Sequence, residues 1–219
     1  LQMPPYASQG LNTGIRDILN LIWKINLVVN FNCNKDLLLS YELERAQQIK
    51  QTIKSSIALG QLIDSLSVAF QKNIPLDEAI APEARDQAFG RNNNIEEKNS
   101  IKGIFSHSQS EMTVNRRLAN REITDTQGIA CLDKMVENCF AIFSKKDLRN
   151  ELNEDIYEKL ISLNFKFIFD YSNLIIGPEL SEYLDKGEII MRPDKKIYGL
   201  SSAGIGINKL ASELLMQLE

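Results

Sequence analysis

Between Thr13 and about Asn30 the polar positions Thr13, Arg16, Asp17, Asn20 and Lys24 fall on one helical stripe, and Ile15, Ile18, Leu19, Ile22, Trp23 and Val29 fill the rest. A helix with so narrow a polar stripe is expected to bury most of its circumference. Asn12 or Thr13 is the expected N-cap. Ahead of it, LQMPPYASQGLN is turn chemistry: Pro4 and Pro5 fix φ, and Gly10 admits backbone conformations closed to other residues. Asn30 to Asn34 breaks the pattern, and Asp36 is expected to cap a second helix from Leu37 to about Gln71. There Ile49, Ile53, Ile57, Ile63, Leu66 and Phe70 follow helical spacing, with Gly60 as a point where the helix could bend. Pro75 and Pro82 bracket a short capped segment, LDEAI, and Arg85 to Lys102 reads as an exposed linker.

After about residue 105 the pattern changes. CFAIFS (139–144) and FKFIFDY (165–171) are aromatic and β-branched runs expected as buried strands. Between them Leu148, Leu152, Ile156, Leu160 and Leu163 give Asp147 to Leu163 a helical period. Gly177-Pro178 opens a short helix, Glu179 to Lys186. Glu188 to Met191, a turn at Pro193-Asp194-Lys195, and Lys196 to Leu200 make a hairpin, and a last helix runs from about Ile207 to Leu218. Strand–helix–strand–helix–hairpin–helix predicts an α/β sandwich with a thioredoxin-like plan and no internal repeat. The expected division is a helical part, 1–84, a linker, 85–104, and the α/β part, 105–219.

Composition narrows the function. Of 219 residues 43% are apolar and 25% charged, the balance of a folded globular chain. A net charge of -4 argues against nucleic acid or an anionic membrane as partner, since both need clustered basic surface. The most apolar window, Ile15 to Phe31, is interrupted by Arg16, Asp17, Asn20, Lys24 and Asn26, so it does not read as a membrane span. Cys33, Cys131 and Cys139 form no CxxC and no metal-ligand spacing, which fits reduced thiols. With no basic n-region ahead of an apolar block, a cytoplasmic location is the expectation.

Three ordered blocks carry a family likeness: MPPYASQGLNTGIRD, then NLIWKI, then LLLSYELER. Together they resemble the flavin-dependent aromatic hydroxylases of the phenol hydroxylase and 3-(3-hydroxyphenyl)propionate hydroxylase type. IIMRPDKKIYGL, followed by a terminal helix, is similar to the last hairpin of the thioredoxin-like domain of those enzymes, and residues 46–135 match only in kind. The resemblance implies FAD as cofactor, NAD(P)H as co-substrate, O₂, and a small phenolic or other aromatic substrate. It also implies that the Pro-Pro turn lies over the flavin ring. Gly10, Leu11 and Asn12 would then supply backbone N–H groups to its pyrimidine edge, and Pro4 and Pro5 would line the reacting face. Elementary physics agrees, because a helix start carries unpaired N–H groups and the positive end of a dipole. The family's GxGxxG motif and Gly-Asp block do not occur in these residues. Hence the chain is expected to be a C-terminal portion that needs a missing N-terminal FAD-binding portion as its partner and is inactive alone.

Other signals read as structural. Ala203 to Asn208 has two glycines of a dinucleotide loop but lacks the third. His107 has no second imidazole or ligand-spaced Cys or Asp, so it reads as a solvated loop residue. Asp125 and Asp133 read as turn and surface residues, Cys139 as a buried small hydrophobe, and Glu42–Arg45 as an i,i+3 helix pair. Without CxxC the α/β domain is expected to be redox-inert. Phe140, Ile142, Phe167 and Phe169 suggest more apolar strand surface than one small sheet needs, hence a possible homodimer. The alternative to an oxygenase is a non-catalytic dimerisation or scaffold module. A thiol–disulfide oxidoreductase is the third reading.

Overall fold

A computed structural model describes residues 9–75, 78, 80, 103–107, 109, 116–202 and 204–219. The chain divides into two compact units, residues 1–18 with 42–100, and residues 19–41 with 101–219.

The first unit is helical. Helix α1, Gln9–Asn30, begins there and continues into the second unit. It starts a turn earlier than its polar residues suggest, so Gly10 to Asn12 belong to the helix and not to the preceding turn. Helix α2, Leu39–Gln71, passes through Gly60 as one helix, and most of it lies in the first unit. It is preceded by a 3₁₀ turn, Lys35–Leu38, whose cap is Asn34 rather than Asp36: the Asn34 amide oxygen accepts from the Asp36 N–H at 2.9 Å. The apolar core of this unit is small, with Leu62 and Ile80 buried against Ala58, Leu59 and Leu66. Most of LDEAI and of the expected linker falls outside the described residues.

The second unit is the α/β part. A four-stranded sheet has the order β3-β2-β5-β6, from β2 (Ala141–Phe143), β3 (Lys166–Ile168), β5 (Ile189–Met191) and β6 (Ile197–Leu200). Only β2 and β3 are parallel, and the crossover between them is helix α4, Glu154–Ser162. Helices α5, Pro178–Lys186, and α6, Ile207–Leu218, fall where the sequence pattern puts them. Alternation along the strands builds two cores. Ile142 and Ile190 face one side with Trp23, Leu160 and Leu214. Ala141, Phe143, Ile189 and Met191 face the other, with Leu132 of α3 (Leu132–Val136) and Leu180.

Several expectations change. The aromatic runs give strands of only three residues each, and Cys139 sits half-buried in the bend before β2. Asp147 does not open a helix: its carboxylate accepts from the Arg149 backbone N–H, a local turn that competes with helix formation. A second, two-stranded sheet, β1 (Ile123–Asp125) with β4 (Leu174–Ile176), was not anticipated. Of the four apolar strand residues singled out in the sequence, Phe140 and Ile142 are buried within their own unit, and Phe167 and Phe169 are half-buried.

One edge of the sheet is closed by the chain itself. Ser106 N–H donates to Tyr198 O, Ile197 N–H to Arg116 O, and Leu118 N–H to Lys195 O. Gln109 completes the cover: its amide takes the Leu200 N–H at 2.8 Å and returns a bond to the Leu200 carbonyl. Covering an edge in this way removes a template for unwanted strand pairing.

Candidate functional site

The sequence places its candidate site at the start of α1. Pro4 and Pro5 lie outside the described residues. Gly10, Leu11 and Asn12 are all exposed in the first turn, Leu11 at 76%. N–H groups of a first helical turn have no acceptor within the helix and lie at the positive end of its dipole. A Cβ built on Gly14, one turn on, meets nothing within 4 Å. The chemistry of such a helix start suits an electron-rich or anionic group.

Behind that turn, Thr13 is buried and the Asp17 carboxylate takes the Arg45 Nε–H at 2.7 Å. Arg45 is itself buried and also donates to Gln48 Oε1. Its ionic partner is thus Asp17, twenty-eight residues upstream, where the sequence pattern had suggested Glu42.

The second unit holds a larger polar cluster that the sequence did not reveal. Arg192 is fully buried and grips Asp194 with two bonds, Nε to Oδ1 at 3.0 Å and Nη2 to Oδ2 at 2.7 Å. Its Nη1 donates to the Ile104 carbonyl at 3.0 Å. The guanidinium lies 4.4 Å from the Phe105 ring centre and 5.1 Å from that of Trp23, so aromatic faces replace part of its hydration. Asp194 Oδ2 also accepts from the Asn20 amide at 3.3 Å, and Asn20 Oδ1 accepts from Lys24 Nζ at 3.0 Å. Trp23 packs edge-on against Phe140, which stacks on Phe165. A turn expected at a hairpin tip is therefore an interior ion-pair site.

No group of three or more His, Cys, Asp or Glu side chains able to hold a metal occurs among the described residues. His107 is exposed, and its backbone N–H donates to Glu213 at 2.5 Å. Asp125 accepts from the Gln127 and Ile129 N–H groups, as a turn residue does. Cys33, Cys131 and Cys139 are free, and desolvation pushes each thiol up, away from the reactive thiolate. Cys33 borders a cavity of about 250 Å³ with Phe31, Leu163 and Leu218, beside the Lys159–Glu219 ion pair. Among the described residues no helix is long and apolar enough to cross a membrane.

Comparison with known proteins gives these features a context. Residues 2–56 match the family model described as FAD binding domain. The chain is 43% identical over 61 residues to a 3-(3-hydroxy-phenyl)propionate/3-hydroxycinnamic acid hydroxylase of Klebsiella pneumoniae subsp. pneumoniae, covering 28% of this chain and 11% of that protein. It is 25% identical over 177 residues to the hydroxylase of that name from Mycolicibacterium gilvum, covering 76% of this chain and 30% of the relative. The rebeccamycin biosynthetic enzyme RebC, solved with reduced flavin, superposes on 97% of this chain and 43% of its own, with a TM-score of 0.61 at 15% identity. The fold is therefore a mixed α/β arrangement resembling part of the flavin monooxygenases, and the chain spans well under half the length of the proteins it matches.

These matches correct one expectation. The chain was expected to be a C-terminal portion whose FAD-binding portion is missing and must be supplied as a partner. Instead, residues 2–56, which include α1 and the beginning of α2, themselves match an FAD-binding domain.

Proposed function

We propose that the chain serves flavin-dependent hydroxylation of a phenolic or other aromatic substrate, with FAD as cofactor and NAD(P)H and O₂ as co-substrates. The observation that carries this reading is the coincidence of the FAD-binding match at 2–56 with the exposed amide end of α1. Bound FAD would supply the oxygen-activating chemistry. The chain's own task is to bind and orient. Gly10, Leu11 and Asn12 offer N–H groups to the ring's pyrimidine edge, and Pro4 and Pro5 border its reacting face. The exposed Leu11 side chain would exclude water once the ring is in place.

Residues 105–219 are proposed as a thioredoxin-like, redox-inert scaffold. Strand–helix–strand, then helix–hairpin–helix, supports the plan, and the three free, upshifted thiols support inertness. The aligned stretches cover only 11% and 30% of the two hydroxylases, and GxGxxG does not occur in the 219 residues. Flavin binding without turnover is accordingly the behaviour proposed for the chain by itself. A cytoplasmic location fits the free cysteines.

Titration of the purified chain with FAD, followed by flavin fluorescence, tests the reading. Saturable quenching is expected, with affinity lowered at least tenfold by Gly10→Leu. No saturable change with oxidised or reduced FAD would overturn it. A non-catalytic dimerisation or scaffold module is the second reading, favoured by the exposed apolar row Ile15, Ile18, Ile22 and Val29 on α1. It predicts a self-associating chain that is indifferent to FAD.

A further inference from the structure

Hairpin tips usually stay in water, where their polar groups keep their hydration. Between β5 and β6 the reverse holds: Arg192, Pro193, Asp194 and Lys195 are all buried. So buried a guanidinium is tolerable only when paired and hydrogen-bonded, and Asp194 and the Ile104 carbonyl supply that. Asp194 then reaches a second element. It accepts from Asn20, which holds Lys24 one turn further along α1.

The composition of α1 makes this contact informative. Ile18, Ile22 and Val29 are more than half exposed, whereas Asn20 and Lys24 are at most 2% exposed. Hydrophobic burial alone favours turning the helix about its axis until the isoleucines face inward. Trp23 and Leu27 on the buried face are one restraint against that rotation. The other is the polar chain, since rotating Asn20 and Lys24 outward would strip Asp194 of an interior donor.

We infer that Arg192 and Asp194 are positioning residues for α1: their buried pair anchors Asn20 and Lys24 and so sets which face of the helix meets the sheet. Buried polar groups that select one arrangement over a more apolar competitor act in this way.

The test compares thiol reactivity at an outward and an inward site, Ile22→Cys and Leu27→Cys, read peptide by peptide with a maleimide. In the native background Ile22→Cys should react at least tenfold faster. In the apolar replacement Asn20→Leu/Arg192→Met/Asp194→Leu, which removes both charges of the pair, the ratio should fall to within twofold of one, with far-UV circular dichroism retained. Asp194→Asn alone, nearly isosteric, should lower the ratio and weaken the near-UV band of Trp23. A tenfold ratio surviving in both backgrounds would overturn the inference.

Discussion

Asn20 and Asp194 lie 174 positions apart in sequence and meet inside the second unit, amide to carboxylate at 3.3 Å. Through this contact the last hairpin of the sheet is joined to α1, and Asn20 and Lys24 of its polar stripe are buried while Arg16 stays exposed. Lys24, on the following turn, is entirely buried with its ammonium on Asn20 Oδ1 and 5.4 Å from the Trp23 ring. The outward row of isoleucines is the complement of this arrangement.

Breaking the pair should be costly and replacing it cheap. Asp194→Ala takes the doubly bonded carboxylate from the buried Arg192 guanidinium, and a loss of about 3–5 kcal/mol is expected. Arg192→Met/Asp194→Leu together should cost less than Asp194→Ala, because the guanidinium is removed along with its carboxylate. Urea denaturation of the three proteins decides it. A double variant less stable than Asp194→Ala would show that the pair stabilises the fold in its own right.

The orientation of α1 makes two lysine substitutions diverge. Ile22 is 53% exposed and Leu27 4%. Ile22→Lys should change stability by no more than about 0.5 kcal/mol, whereas Leu27→Lys should cost about 3 kcal/mol or more. Thermal melts of the two proteins suffice, and equal losses would contradict the buried polar face.

Helix α5 is capped from a distance. Gly177 is its N-cap and brings no side chain; instead the buried Glu122 carboxylate accepts the Leu180 N–H at 3.0 Å. A Cβ on Gly177 would stand 2.5 Å from that carboxylate oxygen and 3.1 Å from the Glu122 Cα. Glu122→Ala should therefore cost about 1–2 kcal/mol. Gly177→Ala should be destabilising as well, by pushing the cap aside, and much less so in the Glu122→Ala background. Additive losses in the double variant, measured in urea, would refute the shared mechanism.

Sequence periodicity sufficed for α5 and α6, because each repeats its own period within a few turns, and the apolar runs located the strands of the main sheet but not their order. It was insufficient for β1 and β4, since three residues carry no measurable alternation. For α1 the period was right and the face wrong. A stripe holding Asn20 and Lys24 looks solvent-facing until the hairpin carboxylate that receives it is known, and nothing local announces that partner. The same limit hid Asp17 as the partner of Arg45. Of the candidate site, the helix start was legible in MPPYASQG and its flanking blocks, while its register was off by one turn.

Alkaline pH should destabilise the protein through its buried acids. Burial raises the Tyr198 phenol well above its ordinary value, with the Glu213 charge adding to the shift, and burial raises Tyr171 likewise. Both phenols keep their protons in the folded state at pH values where the unfolded chain gives them up. With more protons bound to the folded form, stability falls as pH rises past the ordinary phenol value of about 10. The upshifted thiols begin the same trend near pH 8.5. Tyr198 separates the contributions, because its hydroxyl is buried with no hydrogen-bond partner among the described residues. Tyr198→Phe removes no bond, so at pH 7 its stability should match the native protein or exceed it. Above pH 10 it should be the more stable of the two, with a shallower loss of stability per pH unit in urea melts. Identical slopes for the two proteins between pH 9 and 11 would mean that Tyr198 ionises freely in the folded state, and phenolate absorbance at 295 nm, rising before the helical signal is lost, would show it directly.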